Sequence, residues 1–253
     1  MNLKTESTPK WLEFTLLKQF PEIVHGVFCR QGGFSSAPYN SLNVAYQLGD
    51  DEPSVKQNLS LIQDTLELDR IVWANQIHGT ACEEVNEESP NIMGSCDALI
   101  TQENNTGLLI KHADCQATIL YDPINRAIGN IHCGWRGNVQ NIYATTIQNM
   151  IKMYGTRPED LFVCISPSLG PNNSEFKNYK KELPQSIWKY QIRPGYFDLW
   201  TLAMHQLCDI GVRPENIEIA RIDTYEDEEN YFSFRRDGVT GRNGTIIALR
   251  EPI

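Results

Sequence analysis

Apolar and polar positions alternate in short runs along most of this chain, and the runs predict strands more often than helices. WLEFTLL (11–17) and IVHGVFC (23–29) read as strands, followed by a loop over 31–43 that carries Gly and Ser pairs, Pro38 and Asn40. Pro53 then opens a helix over 54–68, with Val55, Leu59, Ile62 and Leu66 on one face. IVWANQIH (71–78), ACEEV (81–85), DALIT (97–101), GLLIKH (107–112), ATILY (117–121) and RAIGNIH (126–132) are strand-like runs in such close succession that antiparallel pairing is expected. The widest apolar stripe belongs to one long helix directly after GWRG. It comprises Val139, Ile142, Tyr143, Thr146, Ile147, Met150, Ile151 and Tyr154, with Gly155 as its end. LFVCISP reads as a buried strand, DLWTLAMHQLCDIG as a helix from Asp198 to Gly211, and ENIEIARI, YFSF and TIIALR as late strands. With no internal repeat and no Ser/Gly/Pro-rich linker, the pattern predicts one α+β domain over 1–253, built of mixed β-sheets layered with α-helices.

Charge and cysteine usage narrow the function classes. The chain of 253 residues carries a formal net charge of -10, a field that repels polyanions, so neither nucleic acid nor an anionic membrane is an expected partner. No window approaches the roughly 20 apolar residues of a membrane span. The N-terminal MNLKTESTPKWLEF lacks the apolar core of a signal peptide. The seven cysteines are odd in number and contain no CxxC pair, the usage of a reducing compartment. A cytoplasmic protein acting on a small molecule is the expectation.

The candidate chemistry lies in HADCQATILYDPINRAIGNIHCGWRG (112–137). If ATILY and RAIGNIH form a hairpin across DPIN with Tyr121 facing Arg126, then Cys115 faces His132, and opposed side chains share one face about 4.5 to 5.5 Å apart. Cys133 then points to the other face, and His112 falls beyond the hairpin end. His78, at a strand end in NQIHGT, is the candidate third donor. Two imidazoles and a thiolate suit Zn²⁺, and three protein ligands with an open fourth position is the catalytic arrangement, in which the metal acidifies a bound water. The same residues also fit a metal-free pair, with Cys115 as nucleophile and His132 as base.

Several basic residues could hold an anion. Arg136 and Gly137 lie at the predicted start of the long helix, where free N–H groups attract anions, although Arg136 could equally stack on Trp135. HGVFCRQGGFS places His25 and Arg30 beside a glycine pair, with Asn43 following in SLN. FSFRRDGVTGR gathers Arg235, Arg236 and Arg242, a local excess in an acidic protein. The acidic run DTYEDEENY (223–231) reads as a solvated loop.

HGVFCRQGG, SLN, NQIHGT, DALIT, ADC, DP, IHCGWRG, DLW, YFSFRRD and TGR occur in one order along the chain. In that order they resemble, nearly end to end, the family variously called laccase-domain, peptidoglycan-editing-factor or metal-dependent purine nucleoside phosphorylase proteins. The resemblance implies a single-domain fold of layered mixed sheets and helices. It also implies a Zn²⁺, with Cu²⁺ as the other candidate metal, held by His78, Cys115 and His132, which would then be the catalytic residues. The implied activity is phosphorolysis of adenosine, inosine and methylthioadenosine together with adenosine deamination, so nucleoside and phosphate are the expected partners. Arg30, Asn43, Arg136, Arg235, Arg236 and Arg242 are the candidate substrate and phosphate residues. Peptidoglycan-precursor editing and copper-dependent polyphenol oxidation are the alternative activities, but the chain lacks the several His-x-His motifs of a multicopper site. Its departures from the family pattern are GPNNSEF and Asp223, where cysteines are common, His112 before ADC, and Cys133 inside HCGWRG. They bear on substrate preference and leave the three ligands intact.

Overall fold

The computed structural model describes residues 8–251. Residues 1–7, which begin the stretch read for a leader, and residues 252–253, the end of the expected domain, lie outside the described residues. In chain order the strands are β1 Trp11–Leu12, β2 Ile23–Phe28, β3 Arg70–Asn75, β4 Cys82–Glu84, β5 Ile92–Ser95, β6 Ala98–Thr101 and β7 Thr106–His112. They continue with β8 Gln116–Asp122, β9 Ala127–Cys133, β10 Phe162–Ile165, β11 Gln191–Arg193, β12 Tyr196–Phe197, β13 Ile217–Ile219 and β14 Asn243–Leu249. The α-helices are α1 Glu52–Thr65, α2 Trp135–Gln140, α3 Ile142–Tyr154, α4 Tyr179–Glu182, α5 Leu199–Ile210 and α6 Phe234–Asp237.

Local sequence explains most of these boundaries. The Asp51 side chain accepts from Ser54 N at the start of α1, and Pro53 sits in the first turn, where no N–H is needed. Asp198 caps α5 in the same way, and Gly211 ends it in a left-handed conformation. The single long helix expected after GWRG is two helices. Asn141 takes a left-handed φ of 56° between them, and its side chain caps α3 by accepting from Ala144 N. The apolar stripe looked continuous because its two parts bury against different neighbours: Val139 packs near Phe176, and Ile142 onward packs on a sheet. Two further strand readings are corrected, and β5, β11 and β12 lie outside the readings. Beyond Leu12 the first run turns into a 3₁₀ segment, Thr15–Leu17. YFSF leads into α6, which Ser233 caps, and the largely exposed β5 gave no alternation to read.

Two six-stranded sheets stack face to face, ordered β1-β2-β14-β7-β3-β5 and β13-β10-β8-β9-β6-β4, with β11 and β12 as a separate ribbon. Strands β3 to β8 alternate between the two sheets, so neighbours in sequence are not neighbours in a ladder. The antiparallel expectation therefore fails for β3, which is parallel to β5 and β7, for β4 with β6, and for β10 with β13. Each of these pairs is linked through an intervening segment, as parallel pairing requires.

Val72, Leu108 and Ile247 of the first sheet meet Leu99, Ile119, Tyr121 and Ile128 of the second between the sheets. Outside the first sheet, Leu109, Ile246 and Ala248 pack on Val55, Leu59 and Ile62 of α1. Outside the second, Leu120, Ile131 and Val163 pack on α3 and α5. The architecture is the predicted α+β class, with mixed sheets layered between helices. Both faces of β8 and β9 are buried, which explains their nearly continuous apolar runs. Among the described residues no helix is long and apolar enough to cross a membrane.

Candidate metal centre

The site lies at one end of the space between the sheets. Asn130 on β9 donates from Nδ2 to the carbonyls of Leu108 and Thr245, both at 2.9 Å, which ties the second sheet to the first. The next residue of β9 on that inner face is His132.

The β8–β9 register differs from the sequence expectation. Asp122 pairs with Ala127, and His132 faces Ala117 rather than Cys115, a displacement of two residues. Asp122 is the last strand residue because its carboxylate accepts from Ile124 N and Asn125 N and so closes the turn, and Arg126 takes a left-handed φ of 50°. A shift of two preserves the face, so Cys115, just before β8, still comes to His132. Cys133 points the other way, into the cluster with Ile142 and Tyr143.

His78 is on a loop rather than a strand end, since β3 stops at Asn75. Its φ is 60°, an unusual value for a residue with a Cβ. Asp97, fully buried, holds this turn: its carboxylate accepts from Ile77 N at 3.2 Å, His78 N at 2.9 Å and Gly79 N at 2.7 Å. The same carboxylate accepts from His132 Nδ1 at 2.8 Å. With Nδ1 bonded to Asp97, Nε2 faces the other two donors, and exchanging its proton for a metal would give the arrangement in which a carboxylate supports a metal-bound histidine.

The donor atoms of His78, Cys115 and His132 lie within 4.8 Å of one another, and Cys115 Sγ is 3.9 Å from His78 Nε2. A Cβ at Gly134 would stand 2.9 Å from His78 Cδ2 and 3.0 Å from Cys115 Sγ, so only glycine fits against the cluster. Asp114, the residue before Cys115, accepts from Thr224 Oγ1 at 2.7 Å and from Arg235 N at 2.6 Å, which ties this segment to the C-terminal part of the chain. Two imidazole nitrogens and a sulfur are a donor set for a tetrahedral ion with one position open, and bonds of about 2.0–2.3 Å would draw the three atoms closer than they stand here.

Electrostatics favour the thiolate. Burial pushes the Cys115 thiol up, but the charge of His132 and hydrogen bonds from His132 and His78 outweigh it and hold the thiol at about 6. Burial opposes the charged form of His132, yet the Cys115 and Asp97 charges raise it to about 9. Burial pushes the other six cysteines up: Cys82 and Cys96 to about 12, and Cys29, Cys133, Cys164 and Cys208 also above the ordinary thiol range. Iodoacetamide at pH 7 should therefore label Cys115 first in metal-free protein. The rate should rise as pH passes through about 6, because the thiolate is the nucleophile. Peptide mapping by mass spectrometry reads this, and equal labelling of several cysteines would contradict it.

The three donors open onto a cleft of about 810 Å³, also lined by Tyr46, Trp73, Ile92, Lys111, Phe234 and Arg242. Of the candidate anion residues, only Arg242 lines it. Its Nη1 donates to the carbonyls of Thr240 and Gly241, and its backbone N donates to Asn43 Oδ1, so Asn43 fixes its position from behind. Arg30 lies elsewhere, over the Phe232 ring and donating to the carbonyls of Asn40 and Glu228. Arg136 is exposed and stacks on Trp135 at 4.4 Å. Arg235 donates to Glu175 O, and Arg236 spans the carbonyls of Thr224, Tyr225 and Tyr231 and pairs with Asp237. His112 is buried, pushed down to about 3 by burial, and bonds Thr245 Oγ1 through Nε2.

Sequence reasoning missed Asp97, Lys111 and Gln76. Gln76 extends the ladder past β3 by pairing its side-chain amide with both N and O of Lys111, at 2.9 and 2.7 Å. The available signal was a lone carboxylate opening DALIT and an amide two residues before His78.

A Bacteroides thetaiotaomicron protein named purine nucleoside phosphorylase is 31% identical, over 94% of this chain and 95% of its own length. The Bacillus subtilis purine nucleoside phosphorylase YlmD is 27% identical, over 91% and 90%. The crystal structure of the Bacillus licheniformis hypothetical protein YfiH superposes with a TM-score of 0.88 at 26% identity, covering 98% of each chain. YlmD from Geobacillus stearothermophilus superposes at 0.83 and 28% identity, covering 92% of this chain and 94% of that one. The family profile described as multi-copper polyphenol oxidoreductase laccase spans residues 24–250, from β2 to the end of β14, and so takes in all three donors. With nearly the whole chain matched in sequence and in fold, this protein belongs to that laccase-like family.

Proposed function

We propose that the protein is a zinc-dependent purine nucleoside phosphorylase acting on adenosine, inosine and methylthioadenosine, with adenosine deaminase activity, working in the cytoplasm as a single domain over 1–253. The observation that carries this reading is the convergence of His78, Cys115 and His132 on the wall of a cleft that also presents the Arg242 guanidinium. The names of the relatives point the same way. Held by these three side chains, Zn²⁺ would supply a Lewis acid at the cleft wall.

The rest is the work of the chain. Asp97 keeps the proton of His132 on Nδ1 and so leaves Nε2 for the ion. Arg242 offers charge to the phosphate that attacks the ribose carbon as the bond to the base breaks. Tyr46, Trp73, Ile92 and Phe234 give the cleft apolar and aromatic surface of the kind that takes a purine.

The donor inventory argues against a multicopper oxidase. Among five histidines in the chain, His25 accepts from Phe14 N, His205 meets Tyr190 and His112 meets Thr245, which leaves His78 and His132 for a metal. Among the described residues one three-donor group occurs, enough for a single ion.

Zinc-loaded protein incubated with adenosine and phosphate should give adenine and ribose 1-phosphate, with inosine accumulating from deamination; chromatography of the products measures both. Absence of turnover on adenosine, inosine and methylthioadenosine would overturn the reading, and oxygen uptake with the copper-loaded protein alone would replace it with oxidation.

A further inference from the structure

A second cation stands in the cleft, outside every motif singled out in the sequence. Lys111 is the penultimate residue of β7 and shares its face with Leu109, on the α1 side of the first sheet. It lines the same cleft as His78, Cys115, His132 and Arg242. In the ladder it pairs with Gly244, and Arg242 lies two residues before that glycine, so the two basic side chains issue from adjacent strands at the same end of the sheet.

Three observations set Lys111 apart from an ordinary surface lysine. Its backbone is clamped on both sides, by the β14 ladder and by the Gln76 amide, so its point of projection is fixed. Among the described residues its ammonium forms no ion pair and no hydrogen bond, although the chain carries ten net negative charges. Glu52 lines the same cleft without pairing to it. Burial pushes the ammonium down to about 8 with no carboxylate offsetting it. Arg242 complements it: Nη1 is used on its own loop, and neither Nε nor Nη2 donates to a protein acceptor among the described residues. Beside Glu52 and the Cys115 thiol, the cleft thus keeps two cations with donors that no protein acceptor uses among the described residues, and a phosphate group carries the charge and the acceptor oxygens that suit both.

We propose that Lys111 and Arg242 form an anion subsite beside the metal centre that takes a phosphate group. The subsite deepens the phosphorolysis reading and rests on it for identifying the occupant as the attacking phosphate; a nucleoside 5′-phosphate would offer the same chemistry.

The test is acetylation of the zinc-loaded wild-type protein at pH 8 with an amine-reactive ester, each lysine followed by mass spectrometry. Inorganic phosphate should slow acetylation of Lys111 selectively, and Lys111→Met should raise the KM for phosphate by about tenfold or more while leaving the nucleoside KM near its original value. Lys111→Arg, which keeps the charge, should recover most of that loss. Protection by adenosine 5′-monophosphate but not by inorganic phosphate supports the subsite and assigns the group to an ester. Lys111 acetylated at the same rate with phosphate and with the monophosphate overturns the subsite. Protection by phosphate in a protein that performs no phosphorolysis upholds the subsite and overturns the functional reading. Phosphorolysis with an unchanged phosphate KM in a folded Lys111→Met does the reverse.

Discussion

Cys115→Ser should strip the protein of most of its bound zinc while Cys133→Ala keeps it, although the two cysteines lie on the arms of one hairpin. Cys115 comes within reach of His78 and His132, and its thiol is held low enough to be a thiolate at neutral pH. A serine hydroxyl does not deprotonate there and is a much poorer ligand. The loss of affinity should exceed the roughly 10–100-fold that outer-shell partners of a metal command. Cys115→Asp should retain part of the metal through oxygen ligation. Cys133 points away from the site into the apolar layer under α3, where burial keeps it protonated, so truncation there leaves a small cavity and no missing ligand. Metal content by elemental analysis, with phosphorolysis measured on the same samples, reads both variants. Metal lost in Cys133→Ala and kept in Cys115→Ser would refute the assignment, and a covalent substrate adduct on Cys115 would put the nucleophile mechanism in its place.

The second large effect is expected at Asp97, which does not line the cleft. Its buried carboxylate accepts four hydrogen bonds, three from the turn that carries His78 and one from His132. Asn offers one acceptor oxygen and turns an N–H₂ toward donors, so Asp97→Asn should lower zinc affinity about 10–100-fold. It should also destabilise the metal-free protein by about 1–3 kcal/mol.

The pH dependence follows from the two shifts. Burial raises Asp97, but the His132 hydrogen bond and the backbone donors overcome it and leave the carboxyl below its ordinary 3.8. Its contribution is therefore complete above about 3.8 and is lost as pH falls further. His132 is raised from 6.5 to about 9, so its contribution is complete below 6.5 and is lost as pH rises through 9. Denaturant unfolding of chelator-treated protein should show the widest gap between wild type and Asp97→Asn from about pH 4 to 6.5, narrowing toward pH 9. A constant gap across that range, with unchanged zinc affinity, would remove Asp97 from the site.

Much of this molecule was legible along the chain. The faces of α1 and α5, their capping aspartates and the alternation of the central strands report only which side of a local element is buried, and neighbours in sequence decide that. The order of the short motifs likewise brought out His78, Cys115 and His132 as a set. The hairpin register was read two residues out, yet the pairing of Cys115 with His132 survived, because sidedness repeats every two residues and a shift of two leaves it unchanged.

What the sequence determined by itself was the α+β class and the buried faces, and its motif order named His78, Cys115 and His132 as candidates; the sheet each strand joined, the break at Asn141, the acceptor role of Asp97 and the placing of Lys111 beside Arg242 were decided only in three dimensions. The reason is physical. Periodicity records burial, which is local, whereas strand pairing, the partner of a buried carboxylate and the meeting of two cations depend on segments far apart in the chain, and no local pattern carries that choice. Six arginine and asparagine candidates were alike as sequence, and only the path of the backbone turned Arg242 into the cleft while Arg30, Arg136, Arg235 and Arg236 found carbonyls, a carboxylate or aromatic rings elsewhere.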